Sequence, residues 1–383
     1  MMEMGSSRTY KRIFLSPPWV DASERRAVEA AFRSGYVAPC GPQVDEFESA
    51  LAALAGRRYA VAVSSGTAAI DLVMAHLGVD SSWTVVAPTL TFMATVGPAY
   101  HRGARLVFVD SDASGGIDAS LLERALRDLG GRGRTLVMGV DLYGRCCDYA
   151  AISRLCRKAG AVFVSDSAEA VGATFRGRPA GCAGVAGIYS FNGNKIITTS
   201  GGGAVVTDSK ALADHVRKLA QQSREKCVWY EHREVGYNYR MSNLLASVGL
   251  AQLSKLPSIL KKRKAISDFY HDRFGKPGSG PLSFLPPVEG ENHWLTVALA
   301  PSGELRDEII AGLSALNVES RPVWKPMHLQ PVFAGCRVYG GGVSEDLFSR
   351  GVCLPSGTGL ARADLARIAK GVSAVVLRGG RGS

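Results

Sequence analysis

Apolar positions along this chain change period several times. Short β-branched runs, Tyr59–Val63, Thr84–Ala87, Arg105–Val109, Thr135–Val140 and Ala161–Ser165, read as buried strands. Between them lie stretches with helical spacing: Thr67–Leu77, Asp118–Leu129 and Tyr149–Lys158. Gly184–Phe191 and Gly203–Thr207 add two more strands. Ahead of the alternation, Asp21 is placed to cap a helix running to about Ser34 and stopping at Gly35. A second helix over Pro42–Ala55 sets Val44, Phe47, Leu51 and Leu54 on one face. Apolar strands alternating with helices predict an α/β fold whose mostly parallel sheet is covered on both faces. From Ser209 to Lys255 the pattern is helical and loop-like. A basic helix and the Pro/Gly-rich stretch Lys276–Pro281 follow, then a smaller α+β unit. The expected organisation is a flexible tail over 1–13, a large domain over 14–255 and a small C-terminal domain over 256–383.

Composition adds little to this and excludes several functions. Of 383 residues, 46% are apolar and 21% charged, an ordinary soluble profile. The formal charge of +11 favours an anionic ligand. Its one dense run, Lys261-Lys262-Arg263-Lys264, has no interleaved aromatics and reads as a solvated helix face, so no nucleic-acid partner is expected. The eight cysteines form no Cys-x-x-Cys pair and the seven histidines are dispersed, so no metal site is expected. Reduced, mostly structural thiols point to the cytoplasm. No apolar run reaches the roughly 18 residues of a membrane helix. Met1–Arg12 is polar, without a signal-peptide core.

Two residues near predicted strand ends carry most of the chemical information. Lys195 closes the run Tyr189-Ser190-Phe191-Asn192-Gly193-Asn194-Lys195, and Asp166 lies 29 positions earlier (195 − 166). A lysine that forms a Schiff base with pyridoxal phosphate needs a carboxylate at the pyridine nitrogen, because a protonated ring is the better electron sink. Ser64-Ser65-Gly66-Thr67 marks a strand end and a helix start, where backbone N–H groups can receive a phosphate. Ser190 can add a hydroxyl to the same phosphate. Phe92, just after a strand, can stack on a pyridine ring. Each has a plainer meaning taken singly: a helix cap, a core aromatic, a capping aspartate, a solvent-facing lysine. The small and glycine neighbours of Lys195 favour the chemical one.

Five motifs in order strengthen it: Ser65-Gly66-Thr67-Ala68-Ala69, Pro88-x-x-Thr91-Phe92-x-Ala94-Thr95, Asp166-x-Ala168-Glu169-Ala170-x-Gly172, Ser190-Phe191-x-Gly193-x-Lys195 and Gly236-Tyr237-Asn238-Tyr239-Arg240-Met241-Ser242-Asn243. Together, from about Phe14 to Ala369, the chain resembles the DegT/DnrJ/EryC1/StrS family of sugar aminotransferases. Asn192–Gly203 and Arg321–Pro331 look most like the bacillosamine-pathway branch. Its members aminate the C4 ketone of a UDP-linked 4-keto-6-deoxy-N-acetylhexosamine.

The resemblance implies a fold-type-I homodimer with shared active sites. It makes Lys195 the Schiff-base lysine and places Asp166 at the pyridine nitrogen. Phe92 stacks on the ring. Gly66, Thr67 and Ser190 bind the phosphate, and Asn238 reaches the partner's cofactor. Arg240, His328 and Lys325 are the candidate substrate contacts. The amino donor is expected to be L-glutamate, with pyridoxamine phosphate as the intermediate cofactor form and Lys195 as the proton shuttle. Glu169 departs from the pattern, since the family often has a glutamine donating to the cofactor's phenolic oxygen. A protonated Glu169 is the first expectation; a carboxylate turned to a neighbour, or a bridging water, are the others. Aminotransferases acting on C3 ketones or keto-cyclitols share the cofactor motifs. A non-catalytic regulatory protein on this fold has no use for Lys195, and the 3-dehydratase branch has histidine there.

Overall fold

The computed structural model describes residues 10–130, 134–275 and 282–379. Most of the expected tail (residues 1–9) and the Lys276–Pro281 stretch lie outside the described residues. The large sheet has eight strands, in the order Tyr59–Val63, Gly203–Thr207, Ala186–Ser190, Val162–Asp166, Arg134–Val140, Trp83–Pro88, Arg105–Val109 and Arg337–Tyr339. Among the described residues, Gly203–Thr207 runs antiparallel to both of its neighbours and every other adjacent pair is parallel. The chain turns back between Ser190 and Gly203 without a crossover helix, which leaves no other direction. Val85, Ala87 and Phe108 pack on one face with Ile70 and Val73 of the helix Gly66–Leu77. Val86, Val107 and Val137 pack on the other against Leu122 and Ile152. Burial on both faces is why these strands read as apolar runs rather than alternations.

The C-terminal part builds a separate antiparallel sheet of four short strands, Ser283–Phe284, Thr296–Leu299, Gly351–Leu354 and Arg321–Pro322. The helices Gly303–Ala315 and Arg362–Gly379 accompany it. The two parts are not cleanly divided along the chain. One 32-residue helix, Asn243–Phe274, runs through the expected boundary at 255/256, with Pro257 inside it. Pro257 forgoes one intrahelical bond without ending the helix. Arg337–Tyr339 returns to the large sheet, beside Arg105–Val109. Ile13, at the end of the expected tail, is buried and bridges Val318.

The basic run differs from its expected role in one residue. Lys261, Lys262 and Lys264 are exposed, but Arg263 turns inward and is 1% exposed. Its guanidinium donates to Thr358 Oγ1 at 2.9 Å, Ser16 Oγ at 3.0 Å and the Trp294 carbonyl at 2.8 Å. Burial alone pushes it down to about 9.

Beneath the carboxyl ends of the central strands, Asp141 is fully buried. It accepts from Cys147 N at 3.0 Å, Ser167 Oγ at 2.5 Å and the Tyr149 hydroxyl. Its own N–H donates to the Asp166 carbonyl at 2.9 Å, so it ties two strand ends together. Burial outweighs the donated hydrogen bonds and pushes this carboxyl up from 3.8 to about 6. The folded state therefore holds a proton that the unfolded chain releases at lower pH. Stability from this group is complete below about pH 4 and is lost as pH rises towards 6. Asp141→Asn should accordingly gain on the wild type across that window, by on the order of 3 kcal/mol at most. Urea unfolding of both proteins from pH 4 to 7 measures the difference, and a flat difference would refute the assignment.

Candidate active site

Asp166 is the last residue of its strand and is 5% exposed, at the wall of a cavity. Thr95 Oγ1 donates to Oδ2 at 2.6 Å and is itself paired with Thr91 Oγ1 at 2.7 Å. Ala168 N donates to Oδ1 at 3.2 Å. Burial raises this carboxyl, while Thr95, Ala168 and the charge of Lys195 pull it back towards the ionised form. Glu169 follows in the turn after the strand and is also buried. Lys195 Nζ donates to its Oε1 at 3.3 Å and Tyr143 N to its Oε2 at 2.7 Å. Tyr143 offers that N–H from a left-handed backbone, φ 57°, unusual for a side chain of its size. Burial is the largest influence on Glu169 and raises it; Lys195 and the Tyr143 N–H oppose. Both oxygens accept, so the carboxyl is turned to neighbours as well as desolvated.

Ser65 caps the helix Gly66–Leu77, its hydroxyl accepting from Ala68 N at 3.0 Å. The N–H groups of Gly66 and Thr67, at the start of that helix, have no carbonyl one turn earlier to receive them. Ser190 lies alongside: a Cβ added at Gly66 would meet Ser190 Cβ at 3.0 Å and Oγ at 3.4 Å. Glycine is thus what keeps this corner open. These groups line one cavity of about 380 Å³, with Asp166, Glu169, Lys195 and Phe92. Phe92 is 58% exposed at its rim, tilted 59° to Trp324 with centroids 6.3 Å apart. An open helix N-terminus with a hydroxyl, a buried fixed carboxylate, an exposed ring and an amine form a donor set that fits pyridoxal phosphate.

Four other expected residues lie elsewhere. Arg240 is committed to structure: its guanidinium pairs with Glu48 and donates to the Ala62 carbonyl at 3.0 Å, with a side chain 6% exposed. His328 uses both ring nitrogens, on Thr89 Oγ1 at 2.6 Å and Glu345 Oε1 at 3.0 Å. Lys325 and Asn238 are exposed and line no part of this cavity, although the contact expected of Asn238 is with the cofactor of a partner subunit. Sequence reasoning did not single out Thr95, Tyr143, Trp294 and Trp324. Thr95 stood in a quoted motif, four residues after Thr91, and its hydroxyl was the available signal. The other three belong to an aromatic group, with Tyr143 5.2 Å from Trp324 and Trp324 6.4 Å from Trp294, that joins segments far apart in sequence.

Residues 18–373 match the DegT/DnrJ/EryC1/StrS aminotransferase family. A candidate pyridoxal phosphate-dependent aminotransferase of Bacillus subtilis, EpsN, is 40% identical over 94% of this chain and 94% of its own length. GDP-perosamine synthase of Caulobacter vibrioides is 34% identical, over 96% of this chain and 99% of its own. Among solved structures, the candidate sugar aminotransferase Spr1654 from Streptococcus pneumoniae, in its PMP form, superposes with a TM-score of 0.87 at 26% identity, covering 95% of this chain and 99% of that one. The expected α/β architecture, a large mostly parallel sheet with a smaller C-terminal sheet, is the one these enzymes share. With the cavity's donor set, these matches make the chain a pyridoxal phosphate-dependent sugar aminotransferase, a member of the DegT/DnrJ/EryC1/StrS family.

Proposed function

We propose that the enzyme moves an amino group from L-glutamate to the C4 ketone of a UDP-linked 4-keto-6-deoxy-N-acetylhexosamine, as a cytoplasmic homodimer with shared sites. The observation that carries the reaction class is the convergence of Lys195, Asp166 and the open helix N-terminus on one cavity. The branch-like motifs Asn192–Gly203 and Arg321–Pro331 support the sugar. A GDP-linked sugar is the second reading, favoured by the 34% identity to a GDP-perosamine synthase.

Pyridoxal phosphate supplies the electron sink on which amino transfer depends. Gly66, Thr67 and Ser190 would hold its phosphate and Phe92 would cover its ring. Asp166, raised by burial but with its ionised form favoured by the Thr95 and Ala168 hydrogen bonds, would hold the proton on the pyridine nitrogen. Lys195 Nζ would take the proton from one carbon and return it to another. Glu169, raised by burial, is assigned the protonated form in the working enzyme. The dimer reading is supported by the segment that carries Asn238. Val228, Trp229, Tyr230 and Val235 stand 96%, 65%, 77% and 93% exposed there, an apolar surface that a second copy would cover.

Three outcomes are expected. Visible absorbance of the loaded protein should be removed by L-glutamate and restored by the UDP-4-keto sugar, while Lys195→Ala lowers turnover on the order of 10³-fold or more. Restoration by a GDP-4-keto sugar alone would select the second reading, and an absorbance indifferent to glutamate would refute the donor. Lys195→Ala and Asn238→Ala subunits, inactive separately, should on mixing recover up to about a quarter of wild-type activity, because half the dimers keep one intact site; no recovery would argue against sharing. Glu169→Gln should keep the wild-type pH dependence of the cofactor absorbance, and a large shift would show that the carboxylate is ionised.

A further inference from the structure

The carbonyl of Asn194, one residue before Lys195, is bound twice. Trp294 Nε1 donates to it at 2.6 Å and Ser16 Oγ at 2.8 Å. Arg263 Nη1 donates both to Ser16 Oγ at 3.0 Å and to the Trp294 carbonyl at 2.8 Å. A ring of hydrogen bonds thus joins the N-terminal segment, the lysine loop, the long helix and the approach to strand Thr296–Leu299. Trp294 meets the lysine a second time, with Nζ 4.2 Å from the centroid of its indole ring. The indole is itself fixed. Its backbone N–H donates to Asn292 Oδ1 at 2.9 Å, and Asn292 Nδ2 donates to the Glu169 carbonyl at 2.9 Å. Trp294 is 1% exposed.

We propose that Trp294 is a positioning residue for Lys195. Its ring face carries the amine and its N–H holds the backbone one residue earlier, so that Nζ stands in one place at the cofactor cavity. The inference rests on the pyridoxal phosphate assignment above. A lysine side chain has large rotamer freedom, and a reacting amine left free must be ordered during the reaction. Glu169 at 3.3 Å and the indole face remove that freedom beforehand. Arg263 fits the same purpose. Its hydrogen-bond partners among the described residues, Thr358, Ser16 and Trp294, are neutral, an expensive setting for a buried guanidinium. What it secures is the backbone of Trp294 and the hydroxyl that reaches Asn194.

The test uses the full chain freed of cofactor and two measurements. One is the rate at which Lys195 captures pyridoxal phosphate, read in the visible. A C=N bond forms between Nζ and the aldehyde carbon, and the aldehyde oxygen leaves as water with two protons of the amine. The other is the Kd of 4-deoxypyridoxine 5′-phosphate, which lacks the aldehyde and binds without a covalent bond. Trp294→Leu should slow capture about tenfold and leave the analogue's Kd within about twofold. Trp294→Phe keeps a ring face and should recover most of the rate. Adding Ser16→Ala to it strips both donors from the Asn194 carbonyl and should lower the rate again; this pair carries the test if the leucine variant does not fold. Wild-type capture in Trp294→Leu, a double variant no slower than Trp294→Phe, or parallel loss of capture and analogue affinity would overturn the proposal. A wild-type protein that captures no pyridoxal phosphate would overturn the aminotransferase assignment itself, and this proposal with it.

Discussion

Two acidic side chains, Asp166 and Glu169, are buried three positions apart (169 − 166), the second paired with the amine of Lys195. Burying charge is costly unless each group is paired and hydrogen-bonded, and much of the surrounding structure meets that demand. Thr95 and the Ala168 N–H serve Asp166. Tyr143 adopts a left-handed backbone to serve Glu169, and Lys195 answers its other oxygen. The sheet supplies the geometry. Strand ends lie side by side, so groups distant in sequence converge where backbone amides are still open to a ligand.

A third carboxylate explains why Arg240, a candidate substrate contact, lies elsewhere. Glu48 is buried in the helix Pro42–Ala55 and accepts from Ala62 N at 2.8 Å and from Arg217 at 2.9 Å, besides its pairing with Arg240. Removing Arg240 would leave a desolvated charge short of a partner, so its first duty is to the scaffold. His328 is likewise held between Thr89 and Glu345.

Local signals in the sequence placed the elements well. The runs Tyr59–Val63 and Arg105–Val109 and the helix Pro42–Ala55 appear with the bounds their patterns indicate. Helix stops were equally plain, as at Gly35, whose φ of 77° suits glycine. The cofactor residues were legible because short motifs hold them near strand ends. What escaped depends on partners far along the chain. Arg240 reads as a free cation until Glu48, 192 residues away, is brought beside it. Arg263 sits among lysines and only the folded helix turns it inward. Trp294 has no motif at all; its meaning comes from Lys195 and Asn194 lying under it.

The return of Arg337–Tyr339 to the large sheet has a consequence for biogenesis. Until that strand emerges from the ribosome, Arg105–Val109 is an edge with unpaired backbone groups, although most of its sheet has already been synthesised. A nascent chain stalled before residue 337 would present this apolar ladder to any other strand in reach. The strand Arg337–Tyr339 therefore closes an edge that stays open after the other seven strands are made, and the interval before it arrives is when a holdase chaperone has most to protect.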